Sequence, residues 1–101
     1  MKDFIYAINQ EFESRVRLGI MSVLAVNDRV DFNALKELLG LTDGNLSSHL
    51  KGLEKVGYVQ VRKRFVDRKP NTSYMATVKG KKAFDEHLHA LEKYLRQQKH
   101  T

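Results

Sequence analysis

Three stretches of this 101-residue chain hold side chains whose type and spacing could do chemistry. In "VQVRKRFVDRKPNT", residues 59–72, Arg62, Lys63, Arg64, Arg68 and Lys69 face Asp67 alone, a balance of +4 within fourteen residues. Residues 1–58 carry seven basic and eight acidic side chains, so most of the net charge of +6 lies in this stretch and in the segment after it. Basic residues this dense suit a polyanion, because displacing condensed counterions drives such binding. A plainer use is to guard an exposed sheet edge. The second stretch, "TDGNLSSH" from Thr42 to His49, combines hydroxyls, an amide and an imidazole with very small residues. These are hydrogen-bonding groups that read polar surfaces at close range. The third, "DEHLH" from Asp85 to His89, has the composition of a metal site. Its histidines are two positions apart, about 200° around a helix, and cannot share an ion. A structural role is expected there, with no metal and no cofactor. No Ser/His/Asp set, carboxylate pair, phosphate loop or nucleotide fingerprint is present, and "GLTDG" lacks the glycines and lysine of a phosphate loop. Enzymatic activity is not expected.

Length and composition restrict what can carry these stretches. A chain of this size supports one domain, 1–101, with a modest core. Hydrophobic residues make up 42% and charged residues 30%, and no apolar run approaches the ~20 residues of a membrane span. "MKDFIYAINQ" lacks the apolar centre and cleavage site of a secretory signal, so a cytoplasmic location without membrane attachment is expected. The absence of cysteine removes disulfides and thiolate metal sites.

Hydrophobic periodicity supplies the elements. Phe4, Ile5, Ile8 and Phe12 predict a helix over residues 2–11, and Val16, Ile20, Val23 and Leu24 a second, ending at Asn27 and Asp28. "RVDF" reads as a short extended piece. In "FNALKELLG", Leu35, Leu38 and Leu39 form one stripe, and Gly40 supplies the positive φ of a helix stop. After "LTD", with Thr42 as N-cap and Asp43 at the positive dipole end, another helix carries Leu46, Leu50, Leu53 and Val56. This is a helix-turn-helix over about 32–56. It opens on poor helix formers, glycine costing about 1 kcal/mol against alanine. Past Gly57, "YVQVRKRF" alternates as a strand, "DRKPN" reads as a turn around Pro70, and "TSYMAT" returns. The hairpin spans about 58–76. Thr77 then caps a last helix to about 97, with Phe84, Leu88, Leu91 and Leu95 in a stripe.

A helix-turn-helix followed by a basic hairpin is a winged helix, a mainly α fold with a small β wing (α+β). "SRVRLGIMSVL", "FNALKELLGLTDGNLSSHLKGLEKVGYV", "FVDRKPNTSYMAT" and "VKGKKAF" resemble, in that order, small winged-helix transcriptional regulators of the MarR/ArsR-like type. The likeness runs from about Ser14 to Leu95. It implies a homodimer on duplex DNA, with the second helix of the motif in the major groove and the wing on the backbone or minor groove. It also implies pairing through the terminal helices, here by Phe4, Ile5, Ile8, Phe84, Leu88, Leu91 and Leu95. A monomer this small has little core to cover both of those stripes, which supports the same expectation. A small-molecule effector at the dimer interface is compatible with the resemblance, but no residue identifies one. "DEHLH" resembles half of a zinc site that some ArsR-type sensors build across their dimer, and even with His100 the ligand set is incomplete.

Helical geometry at about 100° per residue assigns the roles. Leu50 and Leu53 lie within about 40° of Leu46, whereas Gly44, Ser48, Lys51 and Lys55 lie about 140° or more away. Asn45, Ser47 and Gly52 flank that second face. Small polar residues let a helix end sink into a groove, where Asn can read adenine and Ser can reach base edges or phosphate. The expected contacts on the recognition helix are Thr42, Gly44, Asn45, Ser47, Ser48, His49 and Lys51, with His49 a half-buried packing residue that also reaches phosphate. In the wing they are Arg62, Lys63, Arg64, Arg68, Lys69 and Asn71, with Arg68 or Lys69 at the tip entering a narrow minor groove. Lys79, Lys81 and Lys82 stand at the start of the last helix, where they oppose its dipole unless phosphate is near. The alternative is a winged-helix interaction module whose basic hairpin docks an acidic protein. RNA binding is disfavoured, since only Tyr58, Phe65 and Tyr74 stand near the basic strip as stacking residues.

Overall fold

The structure, a computed structural model, describes residues 6–98. Four helices are built on side-chain caps: α1 (Arg15–Val26), α2 (Phe32–Leu39), α3 (Asp43–Lys55) and α4 (Val78–Gln98). The Ser14 hydroxyl accepts from Arg17 N–H at 3.3 Å, the Asp31 carboxylate from Ala34 N–H at 2.8 Å and the Thr42 hydroxyl from Asn45 N–H at 3.2 Å. Each satisfies a donor that the first helical turn leaves free. Gly40 ends α2 in the left-handed region at φ 62°, so the chain reverses into α3 after two residues.

The core lies where α1, α2 and α3 meet. Ile20, Met21 and Leu24 of α1, Leu35 of α2 and Leu46, Leu50 and Leu53 of α3 are buried together. Strands β1 (Val30–Asp31), β2 (Val59–Val66) and β3 (Lys69–Ala76) form an antiparallel sheet in the order β1-β3-β2. Its register pairs Val59 with Ala76 at the core end and Val66 with Lys69 at the far end. Val59 and Ala76 close the core, and the last turns of the hairpin leave it.

Several expectations are corrected. "RVDF" is extended as expected, and beyond that expectation it adds a third strand, Val30 and Asp31 pairing with Tyr74 and Ser73; two residues are too few to show alternation. The first helix does not reach Glu11. Tyr6 and Ala7 are helical, but Asn9 is extended at ψ 123° and accepts from Glu11 N–H, starting a separate 3₁₀ turn, Gln10–Phe12. Phe12 therefore leaves the expected stripe and enters the core, 5.5 Å edge-on from Phe84. The expected interface residues Phe4 and Ile5 lie outside the described residues, as does His100. Leu38 is 66% exposed, so α2 buries a narrower stripe than its three leucines suggest. Pro70 is a strand residue paired with Phe65, and the turn is Asp67 and Arg68 alone, at φ 50° and 66°. Two positive φ values match the tight hairpin turn whose twist suits its strands. Val66 and Lys69 then form its hydrogen-bonded closing pair, and the next pair needs no donor from Pro70.

Helix α4 of 21 residues extends about 31 Å, and the molecule measures 61 × 25 × 20 Å. Its first half packs on the body through Phe84 and His87, both buried. Leu88 is 45% and Leu95 66% exposed, and Leu91 is half-buried. The apolar stripe thus continues beyond anything that covers it among the described residues. Among them, too, no helix is long and apolar enough to cross a membrane.

Candidate nucleic-acid interface

Helix α3 presents its two faces as its periodicity requires. Leu46, Leu50 and Leu53 are buried, while Gly44, Asn45, Ser48 and Lys51 on the opposite side are exposed. Thr42 is exposed while it caps, and Ser47 is half-buried. No heavy atom lies within 4 Å of a Cβ built on Gly44, so its small size answers to nothing inside the chain. An ion pair of 2.8 Å between Lys36 and Asp43 ties the start of α3 to α2.

Arg17 holds the back of this helix. Its guanidinium pairs with Glu11 in the 3₁₀ turn, and its Nε donates to His49 Nδ1 at 3.2 Å. A Cβ at Gly52 would stand 2.2 Å from the Arg17 Nη2, so glycine is what lets the guanidinium lie against α3. His49 is half-buried, matching the packing expectation. Arg17 was not singled out from the sequence; a glycine in the middle of a helix was the available sign of a close approach.

Strand alternation divides the wing's cations into two sets. Lys63 shares a face with Val59, Val61 and their partners Tyr74 and Thr72, the face turned toward α3. Ser47 and Lys51 of α3 and Lys63 and Thr72 of the wing line one open groove of about 410 Å³. Tyr74 lines it too, its pKa raised by burial and then by the Glu54 carboxylate, so its hydroxyl stays protonated. Arg62, Arg64, Lys69 and Asn71 occupy the opposite face, and Arg68 stands between the two at the tip. All of 62–70 is exposed. The groove therefore brings together Ser47, Lys51 and Lys63 with Asn71 at its edge, Arg68 stands apart at the tip, and the second face holds the remaining wing cations.

Lys79 has another use than the dipole argument suggested. Its ammonium donates to the Val56 carbonyl at 2.9 Å and stands 5.8 Å over the Tyr58 ring, so a cation at the start of α4 completes the end of α3. Lys81 and Lys82 are exposed. Beside them Thr77 donates to the Gly57 carbonyl at 2.6 Å and accepts from Gly80 N–H at 2.9 Å.

The histidines of "DEHLH" diverge. His87 is 4% exposed, 5.1 Å from the Phe12 ring, and its Nδ1 accepts from Asn9 N–H at 3.3 Å. Burial lowers its pKa below the usual imidazole value. His89 is exposed and bonds Asp85 one turn earlier. Among the described residues no group of three or more His, Asp or Glu is placed to hold a metal ion.

Comparison with known proteins agrees with this geometry. A family described as a winged helix DNA-binding domain matches residues 16–95. An uncharacterized protein of Methanocaldococcus jannaschii is 40% identical over 80 residues, covering 79% of this chain and 87% of its own. A transcriptional regulator homologue from Pyrococcus horikoshii superposes with a TM-score of 0.88 at 31% identity, over 96% of this chain and 97% of that one. A Bacillus cereus protein described as a MarR-like transcription regulator superposes at 0.72 with 26% identity, over 95% of this chain and 68% of its own.

Proposed function

The chain belongs to the winged-helix DNA-binding domain family, and on that premise we propose that it is a transcriptional regulator that binds a specific duplex sequence as a homodimer. The observation that carries the reading is the start of α3. The outward face of its first two turns, Gly44, Asn45 and Ser48, is small, polar and exposed, and it adjoins a groove that Ser47 and Lys51 share with Lys63 of the wing. In this reading Asn45, Ser48 and Ser47 meet base edges in the major groove, Gly44 permits the approach, and Thr42, His49 and Lys51 meet phosphates. Arg68 at the tip enters the minor groove, and the cations on the two faces of the hairpin meet the strands beside it. The transcriptional regulators among its structural neighbours support the role.

The second copy is supported by α4. Leu88 and Leu95 lie on a stripe that the described residues leave open, and two copies joined there present two recognition helices to one duplex. Leu91 of the same stripe and Ile8 are half-buried. Leu95→Glu is expected to convert the dimer to monomer in sedimentation and to weaken binding to a two-half-site duplex while one half-site is bound as before.

The contacts are tested by paired variants. Asn45→Ala and Ser48→Ala should each cost about 1–3 kcal/mol on the preferred duplex and little on others. Lys63→Ala should weaken every duplex alike and lower the salt slope by about one. Uniform losses from all three variants would contradict the assignment.

A further inference from the structure

The wing face turned away from α3 holds two buried polar groups that the DNA reading does not use. Ser73 is 2% exposed and its hydroxyl has no hydrogen-bond partner; the Nε of Arg29 is likewise buried and unpaired. Both residues line one open pocket of about 400 Å³, together with Arg64, Asn71, Asp31 and Val66. The pairing of Asp31 with Ser73 and of Ser73 with Arg62 lays an acid, a hydroxyl and a guanidinium across the three strands.

The missing partner has a definite chemistry. A guanidinium Nε–H can only donate, and a serine hydroxyl can donate, so one acceptor satisfies both. Buried donors are rarely left without one. The lining sets its charge: Arg29 and Arg64 contribute two positive charges and Asp31, which spends one oxygen on capping α2, one negative charge, whereas Arg62, though paired with Ser73, is not part of that lining. The balance of +1 suits a single monoanionic group whose oxygens take several charge-assisted hydrogen bonds. The pocket exceeds a bare ion, and the Val66 wall accommodates an apolar body attached to it.

We propose that this pocket between β1 and the wing, built by Arg29, Arg64 and the Ser73 hydroxyl, binds one monoanionic oxyanion, a carboxylate or a phosphodiester. The group can arrive on a free small molecule or as a backbone phosphate of the bound duplex. Arg64 and Asn71 belong also to the wing face assigned to DNA, so a free anion held here draws them away from the duplex. Only that last consequence rests on the proposed function; the anion site stands without it.

The test follows the arginine Nε–H resonances of the 101-residue chain at constant ionic strength, titrated with acetate, with dimethyl phosphate and with duplex DNA. A site of this kind gives saturable shifts of Arg29 and Arg64 with an oxyanion. Arg29→Gln weakens that binding about tenfold and Ser73→Ala at least about threefold, while Lys81→Ala changes nothing. Ser73→Ala deletes one unpaired hydroxyl and keeps the fold available should Arg29→Gln lose it. If a free anion saturates the site and lowers duplex affinity in the wild type but not in Arg29→Gln, the ligand is a small molecule. If only duplex moves Arg29, and Arg29→Gln lowers the salt slope by about one, it is a backbone phosphate. Absence of any Arg29 shift, or variants that bind all three ligands as the wild type does, overturns the site. A saturable free anion in a protein that binds no duplex would contradict the proposed function and leave this inference standing.

Discussion

Replacing Gly44 by leucine should stabilise the protein and damage its binding to DNA. Gly44 is the second residue of α3, it does not have a positive φ, and a Cβ there meets nothing within 4 Å. A side chain unbranched at Cβ therefore enters open space at its first atom and removes the conformational cost of glycine, about 1 kcal/mol in a helix interior and here, in the first turn, about 0.5 kcal/mol. For a domain of this size that raises Tm by about 2–4 °C. The side chain projects about 160° from Leu46, out of the face that is proposed to enter the groove. Holding the helix end away from the bases forfeits at least one good base contact, so affinity for the preferred duplex should fall about tenfold or more. Calorimetry and fluorescence anisotropy on the same preparation read both effects. A variant that melts higher and binds as tightly as the wild type would refute the close approach of α3. One that melts lower would refute the open surroundings of Gly44.

Three further outcomes follow from particular contacts. Gly80→Ala puts a Cβ 2.1 Å from the Tyr58 carbonyl oxygen, which is backbone and cannot swing aside, so a loss of about 3 kcal/mol is expected in urea unfolding. Arg68→Gly relieves a left-handed non-glycine residue, so it should leave stability unchanged or raise it by up to about 1 kcal/mol while weakening duplex binding severalfold. The lowered pKa of His87 makes stability depend on pH. The unfolded chain takes up the proton first, near pH 6.5, so the contribution is complete above that value and is lost as pH falls toward the lower folded pKa. Unfolding free energies measured between pH 7.5 and 5.5 should therefore decline, and His87→Gln should flatten that part of the decline.

Much of the framework was legible because it is written locally. Thr42 and Gly40 bound their helices through atoms three or four residues away, and the leucines of α3 repeat at the period of one buried face. What escaped depends on long separations or on very short elements. Strand β1 has two residues and is recognisable only through its pairing with β3. Asn9 breaks the first helix because its side chain bonds Glu11 N–H and Tyr58 OH, the latter 49 residues away. Lys79 looks misplaced at the start of α4 until the Val56 carbonyl is seen beside it. In the candidate site, the outward face of α3 followed from angles alone, whereas the division of the wing's cations needed the register, which the two-residue turn sets. Arg29 and Ser73 lie 44 positions apart, and only the sheet brings them to one pocket.

Selection of bound duplexes from a random pool, followed by a salt series on the selected sequence, tests the central claim most directly. The account predicts a two-fold symmetric consensus with half-sites about 34–36 Å apart and an affinity that falls steeply with salt. A pool that yields no preferred sequence, or binding that ignores salt, would contradict it.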